Sequence, residues 1–170
     1  MDDIFPYEIR WARPQEWKPT MNMVWDTFMK FEGEDYSAEG IRNFYDFITD
    51  EKLHQSFLKG RYQMMVALER GEVVGMASVR NRNHLSLLFV KDTHHRRGIG
   101  KSLLDCFCRY LKMEMGEKSM TVQAAPYALE FYKRIGFHAT GPEQQFSGIR
   151  VTSMEKFFES GDTRETKGFI

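Results

Sequence analysis

The chain has 170 residues, with 24 basic and 24 acidic side chains and 42% apolar residues. That length is a prior for one domain, residues 1–170, and a chain of this size buries about 70% of its extended surface on folding. Balanced charge removes the usual electrostatic reason to expect a nucleic-acid partner, and 14 Phe, 7 Tyr, 3 Trp and 11 Met exclude wholesale disorder.

Met1-Asp2-Asp3 is acidic where a secretory leader is basic, and no apolar h-region follows. Tyr7 to Trp11 alternates as a short strand. From Pro14 to Phe31, Trp17, Met21, Val24, Trp25 and Phe28 keep helical spacing, with Pro14 tolerated in the first turn. The acidic loop Glu32-Gly33-Glu34-Asp35-Tyr36 follows. Ser37 then caps a second helix carrying Ile41, Phe44, Tyr45 and Ile48.

Tyr62 to Leu68 and Val73 to Val79 are apolar runs joined by Glu69-Arg70-Gly71-Glu72, a hairpin signature. His84 to Val90 is the next strand. Its apolar run, Leu85 to Val90, is the longest in the chain, includes Ser86 and falls far short of the ~20 residues of a membrane helix. Ile99, Leu103, Phe107, Leu111 and Met115 mark one helical stripe. Lys101, Asp105, Arg109 and Lys112 turn outward, with Asp105 and Arg109 at the favourable acid-before-base spacing. Gly116 is the expected C-cap.

Cys106 and Cys108 point to different faces of that helix and cannot bridge, and two thiols without spaced partners predict no metal site. Met120 to Ala124, Phe137 to Thr140 and Ile149 to Phe157 complete the strands, with a short helix from Pro126 through Tyr132, ended by Gly136. The order β-α-α-β-β-β-α-β-α-β-β is a mixed sheet covered by helices, α/β or α+β. The polar tail from 160 to 170 is expected to fray. The expected setting is the reduced cytoplasm, with no membrane association.

The informative segment is Leu87-Leu88-Phe89-Val90-Lys91-Asp92-Thr93-His94-His95-Arg96-Arg97-Gly98-Ile99-Gly100-Lys101-Ser102: strand, polar loop, two glycines, amphipathic helix. Unpaired N–H groups and the dipole at such a helix start bind anions, and Arg96, Arg97 and Lys101 add positive charge. A Walker loop needs Gly where His95 stands, and the dinucleotide fingerprint needs Gly where Leu103 stands, so both patterns fail. What remains is x-x-Gly-x-Gly after a strand, a phosphate or pyrophosphate cradle. Taken alone, two glycines in a tight loop between solvated arginines fit the same residues.

The segment resembles the acyl-CoA pyrophosphate loop of the GNAT superfamily of N-acetyltransferases, Gln/Arg-x-x-Gly-x-Gly/Ala. A second block, Ala128-Leu129-Glu130-Phe131-Tyr132-Lys133-Arg134-Ile135-Gly136-Phe137, is similar to the family's Ala-x-x-Phe-Tyr-x-x-x-Gly-Phe. The resemblance runs from Tyr62 to Lys156 and implies the GNAT-like acyl-CoA N-acyltransferase fold, with acetyl-CoA as cosubstrate. It implies that strand Leu85–Val90 splays from strand Met120–Ala124. The pantetheine arm then lies along Leu88, Phe89 and Val90, and amides from Arg96, Arg97, Gly98, Ile99, Gly100, Lys101 and Ser102 hold the pyrophosphate.

Two proton transfers accompany direct attack of an amine on the thioester. Tyr132 holds the family's general-acid position, although a core aromatic with a satisfied hydroxyl has the same residue type. His84 stands where the family often carries a Glu base, and an imidazole titrating near 6.5 suits that role, although a lone His is commonly structural. Three departures stand out: His95 replaces Gln or Arg, Ala125 replaces an Asn that touches pantetheine, and the Glu is missing.

The first two helices and their loop wall the acceptor site in this family. Glu32, Glu34, Asp35 and Glu39, flanked by Phe28, Phe31, Tyr36 and Phe44, suggest a cationic primary amine of a small molecule or peptide, against the reading of a solvated acidic loop. An acyl-CoA-binding sensor or scaffold without catalysis is the alternative, favoured by Ala125 and the absent Glu. An unrelated nucleotide-binding domain is a third reading, opposed by the two failed motifs. Val151, Met154 and Phe157 on the last strand offer material for a homodimer contact.

Overall fold

The structure, a computed structural model, describes residues 4–146 and 148–159; the tail from 160 to 170 lies outside the described residues. One mixed sheet organises the chain. Its strands are β1 (Glu8–Trp11), β2 (Gln63–Glu69), β3 (Glu72–Arg80), β4 (His84–Val90), β5 (Ser119–Ala124), β6 (His138–Ala139), β7 (Gln144–Phe146) and β8 (Ile149–Phe157). They lie in the order β1-β2-β3-β4-β5-β8-β6, and β7 pairs with β8. The helices are α1 (Trp17–Phe31), α2 (Ala38–Ile48), α3 (Glu51–Leu58), α4 (Ile99–Met113) and α5 (Leu129–Arg134).

Two cores follow from the two faces of the sheet. On one face, Ile99, Leu103, Phe107 and Leu111 of α4 pack on Ala67, Val74, Ala77 and Leu85, which is the helical stripe read from the sequence. On the other, Val24 and Phe28 of α1, Ile48 and Phe57 pack on Val66, Met76, Leu87 and Phe89. Gly75 on β3 sets the height of α4, because a Cβ there would lie 2.9 Å from Ile99 Cγ2 and 3.3 Å from Leu103 Cδ1. The first turn of α4 therefore rests directly on the strand.

The sequence-based order lacked two elements. Helix α3 has one buried residue, Phe57, and its start is marked by Asp50, whose carboxylate accepts from Lys52 N–H at 3.0 Å. Two apolar anchors, Leu53 and Phe57, leave a weak periodic signal. Strand β7 is three residues long, and only its pairing with β8 defines it. The Asp105–Arg109 pair is also corrected: Asp105 Oδ2 pairs with Lys101 Nζ, 3.1 Å away and one turn toward the N-terminus.

The start of α2 and the β2–β3 turn agree with the sequence reading, whereas α4 closes on Glu114, two residues before the expected C-cap Gly116, which is left-handed at φ 69°. Ser37 Oγ accepts from Gly40 N–H at 3.0 Å and donates to Gly148 O at 3.3 Å, which ties the start of α2 to the β7–β8 turn. Arg70 and Gly71 both have positive φ, the two-residue turn that matches the twist of the β2–β3 hairpin.

Strands β4 and β5 are parallel but pair only at His84–Thr121 and Leu85–Val122, then part. The cause is local. Ser78 faces Leu87 while Val79 faces Leu85, so Ser86 is an extra residue on β4. Such a bulge bends its strand and ends regular pairing. Ser86 is held there through the buried Tyr62 hydroxyl, 3.0 Å from Ser86 Oγ and 2.7 Å from Ser78 Oγ.

Candidate active site

Beyond the bulge, the main chain of β4 has an open side. Lys91 N–H donates to Val74 O on β3. At the two-residue alternation of an antiparallel ladder, the main-chain groups of Phe89 face Met76, and those of Leu88 and Val90 turn toward the gap. Of the three residues expected along a bound arm, Leu88 therefore presents both main-chain groups to the gap and Val90 only its N–H. The Val90 carbonyl is bonded to His95 Nε2 at 2.7 Å, and the His95 ring also packs against Phe31 at the end of α1, 4.9 Å between centroids.

At the open end lies the start of α4. Gly98 is its N-cap in the left-handed region (φ 81°), and Ser102 N–H donates back to Gly98 O at 3.0 Å. That bond removes Ser102 N–H from the expected cradle and leaves the N–H groups of Gly98, Ile99, Gly100 and Lys101 without helical partners. Arg96, also left-handed at φ 65°, completes a loop of alternating handedness, a backbone pattern that gathers N–H groups into a concavity able to receive an anion. The positive side chains divide. Arg97 donates to the Tyr7 hydroxyl at 3.0 Å, Lys101 pairs with Asp105, and Arg96 has no ion-pair partner among the described residues.

His94 braces this loop from below. Its Nε2 lies 2.7 Å from Glu69 Oε1, its Nδ1 lies 2.8 Å from Thr93 Oγ1, and its ring meets Tyr7 edge-on. The end of β2 and Tyr7, just before β1, thus hold the loop in place. No sequence motif announced this contact, which joins residues 25 and 87 positions apart.

Between β4 and β5 lies a cavity of about 110 Å³. Its wall includes Leu85 to Phe89 of β4, Val122 and Gln123 of β5, Ala125, Tyr127, Tyr132, Glu32, Tyr36 and Phe44. Tyr132 is buried at 6% exposure, wedged edge-on between Phe131 and Phe137. Its hydroxyl has no hydrogen-bond partner among the described residues. Burial first, and the charge of Glu32 second, raise its pKa well above 10, so it stays protonated across the neutral range.

The four acids expected together in the α1–α2 loop separate, with Glu39 in the first turn of α2. Glu34, Asp35 and Glu39 are exposed, and only Glu32 is buried, at 8%. Glu32 Oε1 accepts from the Tyr36 hydroxyl and Oε2 from the Tyr127 hydroxyl, both at 3.2 Å. Burial pushes its carboxyl from 4.5 up to about 7, against the lowering effect of the two hydroxyls; Asp35 adds a smaller upward push. The signal for this position was in the sequence. Glu32 continues the row Val24–Phe28 by one further i+4 step, so it lies on the buried stripe of α1, and its N–H closes that helix on Phe28 O.

His84 is half-buried at the start of β4, its Nδ1 2.8 Å from Thr121 Oγ1. Burial and the nearby Arg80 charge lower its pKa below 6.5. It does not line the cavity. No group of three or more metal-ligating side chains is present among the described residues, and no helix there is long and apolar enough to cross a membrane.

Comparison with known proteins fits this geometry. A family model described as an acetyltransferase (GNAT) domain matches residues 32–158. The fold is similar to that of a GCN5-related N-acetyltransferase from Rhodopseudomonas palustris, with 24% identity, TM-score 0.78, and 93% of this chain and 99% of that one covered. PaiA N-acetyltransferase from Thermoplasma acidophilum, solved with coenzyme A, has 18% identity and TM-score 0.75 over 89% and 99%. A spermidine N-acetyltransferase chimera from Vibrio cholerae SpeG and hSSAT has 14% identity and TM-score 0.66 over 89% and 95%. The family match spans most of the chain and includes both blocks noted in the sequence. The chain belongs to the GNAT acetyltransferase family and is an acetyl-CoA-dependent acyltransferase.

Proposed function

We propose that the chain transfers an acetyl group directly from acetyl-CoA to a primary amine of a small molecule or peptide, with Tyr132 as the general acid. The observation that carries this reading is Tyr132, a buried side chain in the wall of the cavity between the splayed strands whose hydroxyl has no hydrogen-bond partner among the described residues. A structural core tyrosine of this depth ordinarily has its hydroxyl bonded.

The cosubstrate fits the groups present. Gly98, Ile99, Gly100 and Lys101 supply free N–H groups for a pyrophosphate, and Arg96 supplies an uncommitted charge. Leu88 and Val90 supply strand pairing for an amide-bearing arm, and Ala125 beside it leaves room without adding a hydrogen bond. Acetyl-CoA supplies an activated acyl thioester when bound. Leu88 N–H faces the gap as a donor for carbonyl oxygen as charge builds there. Holding amine and thioester together supplies much of the rate, so no covalent enzyme intermediate is required. Tyr132 keeps its proton until sulfur departs, in surroundings that penalise a bare thiolate as they penalise a phenolate.

For the acceptor, the support is a buried carboxylate in the same wall. The neighbour named for spermidine acts on an amine of the cationic kind this wall suits. Thermal unfolding with acetyl-CoA tests the cosubstrate. Ligand at a hundredfold its Kd adds about 2.7 kcal/mol, which raises the midpoint of a chain this size by roughly 5–11 °C. Tyr132→Phe is expected to keep that shift and lower kcat by about 100-fold or more. A Tyr132→Phe variant with unchanged kcat removes the acid assignment, and acetyl-CoA binding without amine-dependent turnover in the wild type favours the non-catalytic acyl-CoA module.

A further inference from the structure

We propose that Glu32 is the acceptor's seat and the general base: a cavity-wall carboxylate, held by the Tyr36 and Tyr127 hydroxyls, that pairs with an unbranched alkylammonium group and takes its proton. This rests on the acetyl-transfer reading above. Three observations carry it. First, Glu32 is buried in the same cavity wall as Tyr132, so the two groups that the two proton transfers need share one enclosure. Second, no Lys, Arg or His pairs with Glu32 among the described residues. A buried carboxylate with only two neutral donors leaves lone pairs open, and a cation that enters the cavity satisfies them. Third, Phe44, Leu87 and Phe89 line the same small cavity of about 110 Å³, so an alkyl chain that carries the amine has apolar surface to pack on beside the carboxylate.

The groups facing Glu32 set its titration. Asp35 and Tyr36 come from the turn after α1, Tyr127 from the turn after β5 and Tyr132 from α5. The cavity surfaces of β4, β5 and α2 contribute Ser86, Gln123 and Phe44, with no charge. The resulting value of about 7 for Glu32 fits a base working near neutrality.

The proton balance closes on these two residues. Glu32 takes one proton from the acceptor's ammonium, which frees the nitrogen lone pair to form the C–N bond. As the C–S bond breaks, its electron pair goes to sulfur, which takes the Tyr132 proton. Tyr132 regains a proton from the same nitrogen, positively charged since the C–N bond formed, which leaves the neutral amide, and Glu32 later releases its proton to water.

The test is the pH dependence of kcat/KM for acetylation of two acceptors, a linear diamine and an Nα-blocked lysine amide. The wild type, Glu32→Gln, Tyr36→Phe, Tyr127→Phe and His84→Gln are compared, each first checked for the acetyl-CoA thermal shift. In the wild type, an ascending limb near pH 7 is expected. Glu32→Gln is expected to keep the thermal shift, lose at least about 100-fold in kcat/KM and lose that limb. Tyr36→Phe and Tyr127→Phe each remove a bond that lowers the Glu32 pKa, so the limb moves to higher pH, which a purely structural role would not produce.

Activity with either acceptor supports the alkylammonium seat and tells a small diamine from a peptide lysine. Glu32→Gln within about threefold of wild type with the limb in place overturns the proposal, as does a limb that vanishes in His84→Gln instead. A wild type that shows the thermal shift but acetylates neither amine overturns the seat alone. A wild type without the shift overturns acetyl transfer and this proposal with it.

Discussion

The burial of Glu32 has a cost that can be read without any substrate. Its carboxyl is held near 7 in the folded chain and near 4.5 when unfolded. Below about pH 4.5 it is protonated in both states and contributes no pH dependence. Between 4.5 and 7 the unfolded chain releases a proton that the folded chain keeps, so stability falls as pH rises and the loss is complete above 7. At about 1.36 kcal/mol per pH unit that displacement is worth about 3 kcal/mol. Glu32→Gln keeps an oxygen for the Tyr36 and Tyr127 hydroxyls and removes the titration. Other groups titrate alike in both proteins, so the difference in midpoint between variant and wild type isolates Glu32. The variant is expected to gain roughly 6–12 °C relative to wild type between about pH 4.5 and pH 8, measured by thermal unfolding at a series of pH values. A difference that stays flat across that range would mean that the Glu32 carboxyl titrates as a solvated one, and the argument from burial would fail.

Two further outcomes follow from the geometry around α4. Gly75→Val brings side-chain atoms into Ile99 and Leu103 and is expected to cost about 1–3 kcal/mol; because the displaced turn carries the cradle, acetyl-CoA affinity should fall with stability, and calorimetric titration showing unchanged affinity would refute the link. Arg96→Ala is expected to weaken acetyl-CoA binding by roughly tenfold at low salt and less at high salt, since Arg96 is the loop's uncommitted charge, whereas a salt-independent effect would point to loop conformation instead.

The residues that were legible from sequence are those whose structure is decided locally. His84–Val90 and Ile149–Phe157 have the strand limits read from the sequence, and Ser37 caps α2 through a contact three residues away. The α4 stripe was legible because five apolar residues repeat at one helical spacing. Illegible features depend on partners distant in the chain. β7 exists only against β8, and the loss of Phe89 main-chain groups to β3 follows from a register that a bulge at Ser86 fixes. Lys101 and Arg97 read as cradle charges in sequence, but Asp105 and Tyr7 engage them. The acidic loop shows both kinds: the i+4 row Val24–Phe28 marks Glu32 locally as the buried acid, whereas its bond to Tyr127, 95 residues away, has no local signal.

The parting of β4 from β5 also bears on how this sheet avoids sticking to itself. Unpaired strand edges template the addition of foreign strands, and proteins commonly keep rim strands short to prevent it. Here β1 has four residues, β6 two and β7 three. The hydrogen-bonding groups of Leu88 and Val90 lie instead in the interior of the sheet, with strands on both sides. A slender ligand can thread into that seam from its open end, while another protein's sheet cannot dock edge-on against it. The seam thus offers β-type recognition to a small molecule without offering a nucleus for aggregation.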